Sequence, residues 1–123
     1  MRRLPELELA VSATTRERRP SERDGREYHF VSEEEFERLV RAGAFLEHVT
    51  HSWGPRHGTL RSEIDRIRSE GRVPLLDLET HGALVVRDEV PGSITVFVKA
   101  PSLDELEDIV ARELRAAGTM TRP

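Results

Sequence analysis

The chain has 123 residues, which suits one domain and is too few for two ordinary ones, and it carries a net charge of −4. It has no cysteine, which excludes disulfides and thiolate metal sites. It also has no signal-peptide core and no apolar stretch of about 20 residues, so the sequence predicts a cytoplasmic protein that does not enter a membrane. Acidic residues outnumber basic ones by 23 to 19 and the two signs alternate, so the charge pattern does not favour nucleic acid as a partner.

Apolar periodicity and turn signals predict strands in alternation with helices. The expected elements, in chain order, are a strand at 7–11, a turn at 12–16, a loop at 20–25, a strand at 28–31, a helix from 32 to 43, a strand at 45–53, a helix from 59 to 71, a strand at 73–78, a helix at 80–86, a strand at 93–98, and a helix from 102 followed by a frayed tail at 118–123. Capping boxes at Ser32 and Ser102 mark two helix starts, and Thr59 is the predicted cap of the helix between them. Gly43 and Gly71 are predicted to end helices. The alternation in the second half favours parallel strands between helices, and the first half adds short, antiparallel strands.

The stretch from Ser12 to Tyr28 combines the donors that suit a phosphate. Arg16 and Arg19 lie three residues apart, hydroxyl side chains come just before them, and Tyr28 follows after a turn. Arginine presents a planar fork of N–H groups to two phosphate oxygens, and hydroxyls complete the hydrogen-bond shell. This stretch therefore predicts a site for one phosphate monoester, whereas the GxxxxGK[ST] loop that usually holds ATP phosphates does not occur in the sequence.

The same residues resemble the guanylate kinase family, and the resemblance runs from about residue 7 to about residue 107. The segments that carry it are 12–30 (SATTRxxRxGExxGxxYxF in the family), 32–36 (VSxEEF), 43–47 (GxFLE), 54–59 (GPRHGT for GNYYGT), 76–83 (LDLETHGA for LDIDxQGA) and 101–107 (PPSxEELE). Ser21 departs from the pattern, since the family usually has glycine there. Such a set of ordered matches is specific to the family.

The resemblance implies an α/β fold: a truncated P-loop-kinase-type parallel sheet with a small mixed or antiparallel GMP-binding subdomain. Residues 1–123 would form a single guanylate-kinase-like domain, with the nucleoside-monophosphate-binding region at about 12–60 and the core α/β part at 61–117. The strand that carries the P-loop lies mid-sheet in the family and has no counterpart here. A homo-oligomer or a partner chain is therefore expected to complete the sheet, because unpaired buried backbone groups are costly.

The resemblance also implies the site residues. Those that would bind the GMP phosphate are Ser12, Arg16, Arg19, Tyr28 and His57, the last in place of a family tyrosine. Those that would bind guanine are Glu47, Thr59 and Glu79, the last in place of a family aspartate. Glu47 would accept from the N1–H and the exocyclic amine, and Thr59 would hydrogen-bond the base near O6 or N7. No residue is assigned to catalysis, and His48, His51 and His57 have no usual metal-ligand spacing, so no metal site is predicted.

Three functions remain open at this point. The leading one is a guanylate-kinase-like protein that binds GMP or dGMP but has no ATP-binding P-loop, so that it is not catalytic on its own. It would bind no cofactor by itself, and Mg-ATP only if a partner supplied the donor site. The second is a functional guanylate kinase, truncated or split, that converts ATP and GMP to ADP and GDP. The third is a non-catalytic module that binds phosphopeptides or proteins in the same pocket.

Overall fold

A computed structural model of the chain describes residues 4–50, 54–97 and 103–116. Its elements are β1 (Leu7–Leu9), β2 (Ala13–Thr14), β3 (His29–Phe30), α1 (Glu33–Arg41), β4 (Phe45–Val49), β5 (His57–Leu60), α2 (Arg61–Ser69), β6 (Val73–Leu75), α3 (Thr80–Glu89) and α4 (Leu103–Ala116). Gly43 and Gly71 end α1 and α2 as expected, with φ of 67° and 76°, a region that glycine enters without strain.

The strands form two sheets. β1 and β6 pair in parallel, with Leu7 opposite Val73. The other sheet has the order β3-β2-β5-β4, in which β2 and β3 are parallel and the remaining pairs are antiparallel. The α/β class, with a small parallel sheet and a mixed sheet beside it, is therefore confirmed.

Three apolar clusters hold the layers together. The first packs α4 on the parallel sheet (Leu4, Leu7, Val110, Ala111 and Leu114), and the second packs α2 between the two sheets (Ala10, Leu46, Ile64 and Ile67). The third lies under α1, where the rings of Phe36 and Phe45 are 4.6 Å apart beside Ala13. Helix α2, which connects β5 of the mixed sheet to β6 of the parallel sheet, thus contributes Ile64 and Ile67 to the core.

The start of α1 follows the predicted capping box in part. The Ser32 hydroxyl accepts a hydrogen bond of 3.0 Å from the backbone N–H of Glu35. The Glu35 carboxylate binds the guanidinium of Arg38 on the next turn, and no bond from it back to Ser32 occurs within the described residues. The local serine signal was sufficient to place this helix.

Several expected elements are wrong or shorter than predicted. Residues 93–97 form no strand, since none of the described strands pairs with them, and Phe97 is 81% exposed. The predicted strand at 73–78 extends only over Val73–Leu75, the length that β1 can pair with. The turn expected at 12–16 contains strand β2, which pairs on both edges.

Thr59 is not a helix cap. It lies within β5, and the N-terminal cap position of α2 belongs to Leu60, which offers no side-chain hydrogen bond. Helix α3 runs past the predicted end at 86, to Glu89. The box at Ser102 and the tail at 118–123 lie outside the described residues.

Candidate functional site

A cleft of about 220 Å³ opens between the mixed sheet and the segment that joins β6 to α3. Five of the eight predicted site residues lie on its wall: Ser12, Tyr28, Glu47, His57 and Glu79. Thr59 and Arg16 contact residues of this wall, whereas Arg19 contacts Glu22 in the loop after Arg16. The binding roles of these residues stay predictions, but the fold brings five of them to one cavity.

Strand pairing places the side chains on this wall. In β4 and β5, Glu47 lies opposite Thr59, and Val49 lies opposite His57. Gly58, between the two β5 residues, has the Phe45 ring against its backbone, so that a Cβ atom would come within 2.6 Å of that ring. Glycine at this position therefore lets Phe45 pack under the strand.

The carboxylate of Glu47 is buried and fixed. Thr59 donates a hydrogen bond of 2.8 Å from its hydroxyl to Oε1 of Glu47, and the two residues are 1% and 8% exposed, respectively. A hydroxyl has one hydrogen to donate, and Thr59 donates it to Glu47. Thr59 therefore holds the carboxylate in place instead of presenting a donor to the cleft.

Helix α3 approaches the other oxygen of the same carboxylate. A Cβ atom on Gly82, in the first turn of α3, would lie 2.9 Å from Oε2 of Glu47. A Cβ atom at this position would force the carboxylate to shift. The helix N-terminus, where unpaired backbone N–H groups carry partial positive charge, therefore lies beside a buried acid.

Tyr28 and His57 form the other part of the wall, with ring centroids 5.9 Å apart. The guanidinium carbon of Arg16 lies 5.2 Å from the centroid of the Tyr28 ring and 5.7 Å from that of Phe30. A cation in this position is attracted by the faces of both rings. The arginine therefore lies against the ring of the tyrosine that lines the cleft.

Arg16 forms a two-pronged ion pair with Glu22. Its Nη1 and Nη2 donate to Oε1 and Oε2 of Glu22 at 3.0 and 2.9 Å. The backbone N–H of Arg19 donates to the same carboxylate at 2.8 Å, and the two arginine contacts together lower the pKa of Glu22 to about 2. The pKa of Arg16 is raised, first by its hydrogen bonds to Glu22 and to a smaller extent by Tyr28.

The hydroxyls of Thr14 and Thr15 have structural partners. Thr14 Oγ1 donates to the carbonyl of Arg56 at 3.2 Å, and Thr15 Oγ1 accepts from the N–H of Arg56 at 2.9 Å. These bonds tie β2 to the residues before His57. Of the hydroxyls that precede Arg16, Ser12 is the one on the cleft wall.

Three residues of the site were not singled out from the sequence. Asp77 lines the cleft two residues after β6, Gly82 makes room for Glu47, and Glu22 binds Arg16. Asp77 and Gly82 belong to the LDLETHGA segment, and Glu22 belongs to the long segment that starts at Ser12. The family motifs therefore include all three residues, although the sequence analysis predicts roles only for other positions of the same motifs.

Glu47 also lines a second cavity, of about 250 Å³. Arg61 and Glu89 stand on its wall as an ion pair of 3.0 Å, close to His48 and His81. Across the described ranges, no three acidic, histidine or cysteine side chains are arranged to hold a metal ion. In the same part of the chain, every helix is too short or too polar to cross a bilayer.

Comparison with known proteins gives consistent matches. Residues 4–120 match the family described as guanylate kinase. The guanylate kinase of Symbiobacterium thermophilum is 41% identical over 107 residues, which are 87% of this chain and 50% of that protein. That of Rubrobacter xylanophilus is also 41% identical, over 93% of this chain and 65% of its own length.

A solved structure, that of guanylate kinase from Anaplasma phagocytophilum, has a TM-score of 0.67 and 31% sequence identity, and the match covers 94% of this chain and 60% of that one. The chain spans about half the length of the curated relatives it matches.

Proposed function

The chain belongs to the guanylate kinase family, and from that premise we propose that it binds GMP or dGMP in the cleft described above. The base would lie at Glu47 and Glu79, and the phosphate beside Ser12, Tyr28 and His57, with Arg16 and Arg19 next to them. The observation that carries the proposal is the buried Glu47 carboxylate, held by Thr59 on the wall of the same cavity as Tyr28 and His57.

A buried carboxylate suits guanine for a simple chemical reason. Guanine offers two adjacent donors, the N1–H and the exocyclic amine, which one carboxylate can accept together. Adenine has no such donor pair on that edge. A site built for those donors rejects the base that lacks them, because the acid would then be buried without partners.

The phosphate end has donors of the right kind. Tyr28 carries a hydroxyl on the cleft wall, the guanidinium of Arg16 lies 5.2 Å from its ring centroid, and His57 stands beside the same ring. Charge-assisted hydrogen bonds to a phosphate are about twice as strong as neutral ones. We therefore expect the phosphate to contribute much of the affinity.

Phosphoryl transfer is a separate question. The sequence has no GxxxxGK[ST] loop, and transfer depends on positioning of the ATP phosphates and of Mg²⁺. We therefore propose that this 123-residue chain does not transfer phosphate by itself, and that Mg-ATP would bind only if further polypeptide, including a second copy or a partner chain, supplied the donor site. The second candidate is a truncated or split guanylate kinase, which the 41% identity to proteins of that name favours.

Calorimetry with GMP, dGMP, AMP and a phosphoserine peptide tests the binding proposal. We expect GMP or dGMP to bind and AMP to bind at least tenfold more weakly. Equal affinity for GMP and AMP, or no binding of GMP at millimolar concentration, would contradict it, and tight binding of the peptide alone would favour the phosphopeptide module. A coupled assay with ATP and GMP tests the second part, since turnover by the purified chain would refute the proposal that it needs a partner.

A further inference from the structure

Two connections carry the chain between the parallel sheet and the mixed sheet among the described strands. Residues 10–12 lead from β1 to β2, and helix α2 leads back from β5 to β6. The two walls of the cleft come from different sheets, since Glu47 and His57 belong to the mixed sheet, whereas Asp77 and Glu79 follow β6. The placement of one wall relative to the other therefore depends on how these two connections are held together.

Glu63, in the first turn of α2, joins the two connections. Its Oε2 accepts a hydrogen bond of 2.8 Å from the backbone N–H of Val11, which lies 52 residues earlier in the sequence. The N–H of Ala10, just before it, still donates to the parallel sheet, at 2.9 Å from the carbonyl of Leu75. Within the described residues Val11 has no such strand partner, and the carboxylate of Glu63 satisfies its N–H instead.

The carboxylate of Glu63 is buried and held on both oxygens. Its side chain is 6% exposed, and Arg66, on the next turn of α2, donates from Nε to Oε1 and from Nη2 to Oε2, each at 3.1 Å. Nη2 of Arg66 also donates to Glu8 of β1 at 2.5 Å. Burial by itself would raise the pKa of Glu63, but the hydrogen bonds from Arg66 and Val11 outweigh burial and lower that pKa. Glu63 is therefore a charged, fixed acceptor at neutral pH.

We infer that Glu63 is a positioning residue for the cleft: by holding the N–H of Val11 it fixes one connection to the other, and so sets the mixed-sheet wall against residues 77–79. The inference rests on the proposed function, since it takes a guanine nucleotide as a ligand that touches both walls. Glu63 itself does not line the cleft. The apolar cluster that packs α2 between the sheets holds the same connections together, but apolar contact has no direction, whereas a hydrogen bond fixes one alignment.

A simpler role for Glu63 would be that of an acid in the first turn of a helix, where the partial positive charge of the helix N-terminus favours a carboxylate. An exposed side chain would serve that purpose as well as a buried one. The burial of Glu63 and its bond to Val11 favour a link outside the helix. The two roles predict different results, because loss of a first-turn acid lowers only the stability of the fold, whereas loss of a positioning residue also lowers the ligand affinity of the folded protein.

Calorimetry with GMP and guanosine tests the inference, at a temperature at which circular dichroism shows each variant to be folded. Glu63→Leu removes the acceptor, and we expect the affinities for GMP and for guanosine each to fall about tenfold, because both ligands touch both walls. Glu63→Gln keeps one oxygen for the N–H of Val11 and should lose no more than about threefold. Glu70→Gln is the matched control, because Glu70 binds the same guanidinium of Arg66, and it should leave both affinities within twofold.

Amide hydrogen exchange locates the effect in the folded protein. In Glu63→Leu the N–H of Val11 should exchange at least tenfold faster, while that of His29, which donates to the carbonyl of Ser12, stays within twofold. If Glu63→Leu does not fold, Glu63→Asp, whose carboxylate is one methylene further from Val11, takes its place with the same expectations.

Unchanged affinity for GMP without the Glu63 acceptor would overturn the inference and leave the proposed function intact. A loss in Glu63→Gln as large as that in Glu63→Leu, an equal loss in Glu70→Gln, or unchanged exchange at Val11 would overturn it in the same way. If the unmodified chain binds neither GMP nor guanosine, the proposed function fails, and the inference fails with it.

Discussion

Thr59 donates a hydrogen bond of 2.8 Å to Glu47 across the antiparallel pair β4–β5, where both side chains are buried. The pair fixes one carboxylate oxygen from the strand side, while Gly82 allows helix α3 to approach the other oxygen. A carboxylate that is already in place loses little freedom when a base arrives. The first two predictions concern these two supports.

Thr59→Val keeps the shape of the side chain and removes its hydroxyl. We expect GMP affinity to fall by about 1–2 kcal/mol, because Glu47 loses its buried donor and no longer has one fixed orientation. Selectivity for GMP over AMP should fall as well. Calorimetry with both nucleotides measures these changes. Thr59→Ser, which keeps a hydroxyl, should retain most of the GMP affinity. Unchanged GMP affinity in Thr59→Val would show that binding does not need the hydrogen bond from Thr59 to Glu47.

Gly82→Ala places a methyl group 2.9 Å from Oε2 of Glu47. Alanine favours a helix over glycine by about 1 kcal/mol, so α3 itself should not be weakened. We expect GMP affinity to fall at least tenfold because the carboxylate must move, while the midpoint of thermal unfolding changes little. Unchanged GMP affinity would show that the approach of α3 to Glu47 is not needed for binding.

Arg16→Ala removes the guanidinium beside Tyr28. We expect it to cost about 2–3 kcal/mol of GMP binding, the scale of a charge-assisted two-pronged contact, and to leave guanosine binding unchanged. Arg26→Ala is the control, because Arg26 is an exposed arginine of the same loop that pairs with Glu27. Equal losses in the two variants would assign the effect to net charge alone.

The ion pair of Glu22 and Arg16 should also make stability depend on pH. The folded pKa of Glu22, about 2, lies below the ordinary glutamate value of about 4.3 in an unfolded chain. Its contribution to the free energy of unfolding is therefore present above about pH 4.3 and is lost as the pH falls through about 2.

Urea unfolding at several pH values measures this dependence. Glu22→Gln should be less stable than the unmodified chain at neutral pH, and the difference should shrink as the pH falls from about 4.3 towards 2. In the absence of Arg16 the same substitution should show a much weaker pH dependence, since Arg16 is the largest cause of the low pKa. A difference that is constant across this range would contradict the assignment.

Gly58→Ala tests the packing under β5. The new methyl group would come within 2.6 Å of the Phe45 ring, so we expect a loss of about 1–3 kcal/mol in the free energy of unfolding. Phe45→Leu makes room at that position and should make Gly58→Ala less costly than it is in the unmodified chain. Chemical denaturation of the four proteins gives the coupling, and strict additivity would exclude a clash with Phe45.

The sequence was sufficient for features that depend on local signals. The hydroxyl of Ser32 places the start of α1, and the positive φ of Gly43 and Gly71 places two helix ends, because each signal acts within one turn of the chain. Glu47 could be singled out as well, through the family segment it belongs to. The hydrogen bond between Glu47 and Thr59 could not be predicted, because this bond depends on the register of β4 against β5.

Features that depend on distant partners were the ones missed. The apolar run at 93–97 has the composition of a strand, but a strand also needs a paired neighbour, and none of the described strands pairs with it. Thr59 was expected to cap α2 from its position before the helix, whereas its strand partner takes its hydroxyl. Glu22 could be any exposed acid in a polar loop until the fold brings Arg16 to it.

The start of helix α3 has a consequence for how a nucleotide approaches. Glu47 and Glu79 lie at the start of that helix, whereas the guanidinium of Arg16 lies 5.2 Å from the ring centroid of Tyr28, which lines another part of the cleft. The cavity is thus electrically polarised. If the ligand is a nucleoside monophosphate, as proposed, we expect one that enters in reverse to be repelled, because its phosphate would meet two carboxylates, and we expect added salt to weaken that repulsion.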